Sequence, residues 1–166
     1  MWLADRARRS NLVVMAYTTL QARHHLLDQI AAAAEQLGVA LAYLGEAYEQ
    51  LDEHTAERLE EELFRPVQKA YGLAKRDSAK FAERHGLLAP TFGPEAPRML
   101  PGTSKSAIDG AVESVGEADN ILATLQDSML PVEVGDPELR SALAQMRQLL
   151  GGLREQARQL LRTLGR

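Results

Sequence analysis

Apolar residues recur in four stretches of this chain at alternating intervals of four and three, which places them along one face of a helix. The fourth stretch keeps this spacing throughout, and the first keeps it with one break, at Arg23. The first repeat consists of Val13, Ala16, Leu20, Leu27, Ile30, Ala34, Leu37, Leu41, Leu44, Tyr48 and Leu51. The fourth consists of Leu139, Leu143, Met146, Leu150, Leu153, Ala157, Leu160 and Leu164. Because four such faces can cover one another, we expect a single all-α domain, an antiparallel up-and-down four-helix bundle.

Capping and turn residues set the expected boundaries of the bundle helices. Asp52 or Thr55 is suited to cap the second helix, and Gly86 to end it. Asp136 is followed by a proline and a glutamate, the combination that begins many helices. The predicted helices are therefore 24–51, 56–85, 104–129 and 137–164.

Three further residues refine this prediction. Ser104 or Ser106 is expected to cap the third helix, and Pro131 to end it. Pro66 lies inside the second helix, where it removes a backbone hydrogen bond and crowds the preceding turn, so we expect a kink there.

Residues 87–103 form the only long stretch that is expected to be irregular. They contain Pro90, Pro94, Pro97 and Pro101, which exclude a helix. The segment is nevertheless rich in apolar residues, including Phe92, so it is expected to lie on the bundle as an ordered crossover and not as a free linker.

Residues 1–22 extend beyond the length that the other helices can cover. A bundle of helices of about 27 residues is roughly 40 Å long, whereas a first helix that begins near residue 10 is roughly 60 Å long. The first helix therefore either ends near Arg23, so that residues 1–22 fold back over the crossover of their own chain and leave a monomer, or continues past its partners as a helical extension. Uncovered apolar residues favour self-association, most simply as a homodimer. The interface candidates are Trp2, Val13, Val14, Tyr17, Leu20 and, on the crossover, Phe92.

Metal-binding bundles of the ferritin type carry Glu-x-x-His motifs, and no histidine of this chain has a glutamate three residues before it. A weaker set remains, because antiparallel packing would bring His24 and His25 level with Glu83 and His85. The alternative is that these side chains are solvated at one end of the bundle. We expect no metal, no cofactor and no catalytic residue.

Composition and charge exclude several classes of function. The chain has no cysteine, which excludes disulfides and thiolate sites and fits a reducing, cytoplasmic location. No apolar run reaches the length of a membrane span, and no secretion signal is indicated. The net charge of −4 gives no general attraction to nucleic acid.

Arginines on the fourth helix are expected to form a basic end of the bundle, opposite an acidic end around residues 46–62. The row consists of Arg154, Arg158 and Arg162. It is either an ordinary solvated face or a contact for an anionic partner.

These features together predict a non-enzymatic interaction or scaffold protein that self-associates through its amino-terminal segment. The alternative is a bundle that binds a ligand or metal between its helices, with or without catalysis. Glycines within the helices fit either close helix packing or a ligand cavity.

Overall fold

In the computed structural model, 82% of the chain is helical. The structure describes the backbone of residues 2–164 and the side chains of residues 8, 9 and 19–164. Within these residues there is no strand, so the all-α prediction is confirmed.

The first helix, α1, runs without interruption over Trp2–Gln50, and Arg23 does not break it. Its 49 residues make it about 73 Å long at 1.5 Å per residue. The first buried side chain among those described is Leu26, and burial continues from there to Ala47. The sequence left open whether the first helix ends near Arg23 or continues past its partners, and in the structure it continues.

The second helical segment begins at its expected cap and changes its winding ahead of Pro66. Asp52 accepts a hydrogen bond from the Thr55 N–H and begins α2 (Glu53–Leu59). A π-helical turn (Glu60–Phe64) follows, and α3 (Arg65–Arg84) continues it. Because Pro66 has no N–H and crowds the carbonyl four residues before it, the wider turn relieves the clash that was expected to kink the helix.

The crossover to the next helix lies across the packed helices. Its Phe92 ring meets Tyr71 of α3 edge-on at 6.4 Å, and its Met99 N–H donates a 3.1 Å hydrogen bond to the Tyr43 hydroxyl of α1. Helix α4 (Ser104–Asp127) then begins with a reciprocal cap between Thr103 and Ser106. The cap is therefore Thr103, and not Ser104 or Ser106 as the sequence suggested.

The crossover returns the chain to the end of the helices where α1 finishes. In α1 and α4, Tyr43 lies against Gly110. Arg98 on the crossover links Gln36 of α1 to Glu117 of α4. Later residues of α1 thus lie beside earlier residues of α4, so the two helices are antiparallel. Since α3 is also antiparallel to α1 after the short turn at Leu51, α3 and α4 run in the same direction.

The expected up-and-down order was therefore wrong for the third bundle helix, α4, which runs in the same direction as α3. Strict alternation requires a short connection, but the crossover has enough residues to span about 60 Å when extended, more than the length of α4. Each of α1 and α6 (Pro137–Leu150) packs against both α3 and α4.

A short helix, α5 (Leu130–Val134), follows α4 and carries Pro131 in its first turn, where a missing N–H costs nothing.

The predicted fourth helix is divided into two pieces. Asp136 caps α6 as expected, with its side chain accepting from the Leu139 N–H. The helix then ends at Leu150, and α7 (Leu153–Leu164) follows after Gly151 and Gly152. Gly152 has φ +83°, which interrupts the helix and which side chains other than glycine rarely adopt.

Candidate functional site

The part of α1 that precedes the core is the first candidate site, and we call residues 2–25 the α1 projection. None of its described side chains is fully buried, and Leu20 is 41% exposed. Trp2, Val13, Val14 and Tyr17 lie outside the described side chains. Of the amino-terminal interface candidates, the structure therefore places only Leu20, on the surface of the projection.

One buried polar atom at the base of the α1 projection lacks a hydrogen-bond partner in the described part of the chain. The Nε atom of Arg23 is buried and has no hydrogen-bond partner among the described residues. Arg23 occupies the position where the apolar repeat of α1 is broken. A buried donor without an acceptor is costly, so this atom favours an acceptor beyond the residues that the structure describes.

Exposed apolar residues collect at the end from which the α1 projection extends. Leu88 is 93% exposed, Met129 is 61% exposed and Val132 is 50% exposed. All three belong to this end because α3 finishes there and α5, which contacts α1, lies between α4 and α6. We call these three residues the apolar end.

The crossover candidate Phe92 is half-buried against the core. Its ring packs edge-on against Tyr71 of the same chain. Burial of Tyr71, followed by the charge of Glu95, raises the pKa of the tyrosine. Phe92 thus holds the crossover in place and offers little surface to a partner.

The four metal candidates are not brought together as a set. His85 lies against the Phe81 ring, and its Nε2 atom is 2.9 Å from the Asp136 carboxylate. His24, His25 and Glu83 are exposed. In the described part of the chain, no three His, Cys, Asp or Glu side chains are grouped so that they can hold a metal ion.

Asp136 is the centre of a polar cluster that joins α3 to α6. Arg84 donates to both of its carboxylate oxygens, at 2.8 and 3.0 Å, and to Glu138 at 2.9 Å. Burial disfavours the charged form of Asp136, but hydrogen bonds from the Leu139 N–H, His85 and Arg84 outweigh it and lower its pKa. The sequence predicts Asp136 as a helix cap. Its ion pair with Arg84 was not predicted, because 52 residues separate the two along the chain.

The arginine row on α7 does not form a basic end opposite the acidic stretch. Helix α7 packs against α2 and the π-helical turn, which are themselves part of that stretch. Arg154, Arg158 and Arg162 are all exposed, and Arg158 lies 3.6 Å from Glu155. The predicted charge separation was wrong because the crossover reverses the direction assumed for the last helix.

A cavity of about 320 Å³ opens at the break between α6 and α7. Its wall is built from apolar side chains of α1, the π-helical turn, α3, α4, α6 and α7, namely Leu44, Leu63, Val67, Val115, Leu150 and Leu153. Its rim carries Asp119, Asn120 and Arg154. Arg154 forms no hydrogen bond or ion pair with the rest of the described chain, whereas Asp119 is held by Arg147 at 3.1 Å.

Sequence reasoning did not assign these cavity residues. The adjacent glycines Gly151 and Gly152 were the one signal, because glycine inside a helix needs a reason in packing or in a site. The two glycines indicated where on the chain a site could lie. The opposite wall of the cavity comes from residues 44–120, and no spacing in the sequence connects those residues to the glycines.

No helix in the described residues is both long and apolar enough to cross a membrane. Comparison with protein-family models, with curated proteins and with solved structures finds no match for the chain.

Proposed function

We propose that this chain is a non-enzymatic interaction or scaffold protein that self-associates through the α1 projection. In this proposal its core is a four-helix bundle of α1, the α2–α3 segment, α4 and the α6–α7 segment. The members are joined by one long crossover, an order that other helical bundles also use. The cytoplasmic location indicated by the lack of cysteine belongs to the same proposal.

The observation that carries the proposal is that α1 remains helical over Trp2–Gln50 while its buried residues, among the side chains that the structure describes, begin at Leu26. A helix of 24 residues, the length of α4, is about 36 Å long, half the length of α1. Isolated helices are marginal in water, and most helical stability in proteins comes from packing of an apolar face. A partner against the α1 projection supplies that packing.

The apolar repeat of α1 indicates a second copy of the chain as this partner. The face that is buried from Leu27 onwards is the same face that carries Leu20 and, in sequence, Val13. Two projections packed antiparallel around a twofold axis would cover this face with itself. In that arrangement the tip of each projection would reach the apolar end of the other copy, and a group of the partner would face Arg23 Nε.

The test is the molar mass of the full chain in solution, measured by sedimentation at several concentrations. We expect a dimer whose dissociation constant rises at least tenfold in Leu20→Glu, because the new carboxylate has to be buried in the interface. Gln21→Glu is the matched control, since Gln21 is the next residue, is also exposed and lies off the repeat. A deletion of residues 2–22 removes no described buried residue and is expected to give a helical monomer.

A monomeric parent at high micromolar concentration contradicts the proposal. So does a dimer that Leu20→Glu and Gln21→Glu weaken equally, because the interface would then not follow the apolar face.

The cavity at the α6–α7 break favours a second candidate, a protein that binds a small ligand between its helices. Its volume lies at the lower end of the range for ligand sites, about 300–1,000 Å³. This candidate is compatible with self-association, because the cavity lies away from the end where the α1 projection begins.

A further inference from the structure

Three features of the chain border the cavity at the α6–α7 break. The π-helical turn carries Leu63 into its wall, and the glycine pair Gly151–Gly152 stops α6 short of a continuous helix. On the facing helix α4, Ala111 and Gly116 leave space where larger residues would fill it. Open space in an apolar core lowers stability, so a cavity that three features maintain favours an occupant over a packing defect.

The residues of the cavity divide into an apolar wall and a polar mouth. Leu44, Leu63 and Val67 belong to the hydrophobic core, and each is at least 97% buried. Arg154, Asn120 and the glycine pair are exposed at the mouth. This arrangement suits a ligand that has one apolar end and one polar end.

Arg154 gives the mouth a cation that forms no ion pair with the acidic residues described by the structure. Its Nη2 atom would be 3.4 Å from a β-carbon added at Gly116, so the guanidinium lies across α4 where this helix has no side chain. The neighbouring arginines are occupied, Arg147 by Asp119 and Arg158 by Glu155. Glu113 and Arg154 both line a second, separate hollow.

We propose that the cavity binds a small amphipathic carboxylate, with the aliphatic chain among Leu44, Leu63 and Val67 and the carboxylate on Arg154. A guanidinium binds a carboxylate through two parallel hydrogen bonds, and the exposed Asn120 amide provides a further donor at the mouth. The apolar wall contributes affinity through burial, and the arginine selects for negative charge.

The test measures binding of octanoate and of uncharged octanol to the full chain by titration calorimetry. We expect octanoate to bind with higher affinity than octanol. Arg154→Gln is expected to weaken octanoate at least tenfold and to leave octanol unchanged. Arg158→Gln is the matched control, because Arg158 is one turn along α7, is exposed and is absent from the cavity lining; it should change neither ligand.

A second variant tests the place of binding. Val112 lines the cavity and is half-buried, so Val112→Phe is expected to fill the space and to weaken both octanoate and octanol. In amide NMR spectra, octanoate should shift the Gly151 and Gly152 resonances. Leu20→Glu should bind octanoate like the parent chain, which separates this site from self-association.

Three results would overturn the proposal. One is the absence of octanoate binding up to its solubility limit. Another is equal affinity for octanoate and octanol together with no effect of Arg154→Gln. The third is a set of amide shifts that leaves out Gly151 and Gly152.

Discussion

Two glycines inside helices should respond to alanine with opposite signs, and the difference measures how closely α1 and α4 approach. A β-carbon added at Gly110 of α4 would lie 2.6 Å from Cε1 of Tyr43, a distance at which either the ring or the helix has to move. A β-carbon at Gly72 of α3 meets nothing within 4 Å. The helix gains about 1 kcal/mol from alanine at either position.

At Gly110 this gain is outweighed by two costs. Inserting atoms into a packed contact costs about 1–3 kcal/mol, and Tyr43 is only 7% exposed, so its ring has little room to turn. Moving the ring also strains the hydrogen bond from the Met99 N–H, whose net worth is about 1 kcal/mol. We expect Gly110→Ala to lower the free energy of unfolding by about 1–3 kcal/mol and Gly72→Ala to raise it by up to about 1 kcal/mol.

The assay is urea denaturation followed by far-ultraviolet circular dichroism, with both variants compared with the parent chain. Tyr43→Phe separates the two costs, because it removes the hydroxyl that holds Met99 and keeps the ring. If the hydrogen bond is already lost in Gly110→Ala, adding Tyr43→Phe should cost less than it does alone. If Gly110→Ala stabilises the protein as Gly72→Ala does, the close approach of α1 and α4 is absent and the reasoning is refuted.

Further predictions concern the core and the Asp136 cluster. Leu37→Ala and Leu150→Ala should each lower the free energy of unfolding by about 2–5 kcal/mol, since both leucines are buried in the core; a loss below about 1 kcal/mol would mean that the core is elsewhere. Asp136→Asn should cost about 1.5–3 kcal/mol at neutral pH, because the asparagine can still cap α6 but loses the charge that Arg84 binds. The folded-state pKa of Asp136 is lowered, so its contribution is complete above the unfolded value of about 4 and is lost as pH falls through the folded value. Urea titrations at several pH values should therefore show the two proteins converging below about pH 4, and a constant difference down to pH 2 would contradict the assignment.

Local chemistry accounts for the features that the sequence predicted correctly. The spacing of apolar residues predicted helices because one face of each has to be buried. The structure buries the α1 repeat from Leu27 to Leu44, except for Leu41, which is partly buried. Asp52 and Asp136 were predicted as caps because a carboxylate accepts hydrogen bonds from free N–H groups at a helix start. The prolines of residues 87–103 excluded a helix, and the structure has none there.

The break at Gly151 and Gly152 could not be seen from spacing, because α7 packs against the same core as α6. Leu150 and Leu153 are both buried, one on each side of the break, so the apolar repeat passes through it without change. Only the positive φ of Gly152 distinguishes an interrupted helix from a continuous one, and with it comes the cavity.

The sequence by itself determined the helical class and the irregular crossover, because these follow from residue spacing and proline. It left open whether the first helix continues past Arg23, and the structure shows that it does. Only the tertiary structure decided the direction in which the crossover returns the chain. That choice rests on contacts between distant residues, such as Arg98 with Gln36 and Glu117, and no local preference encodes it. The tertiary structure also decided which charged residues lie close together. Asp136 lies beside Arg84, and the α7 arginines lie near α2. The reason is that one reversed connection exchanges the two ends of every helix that follows it.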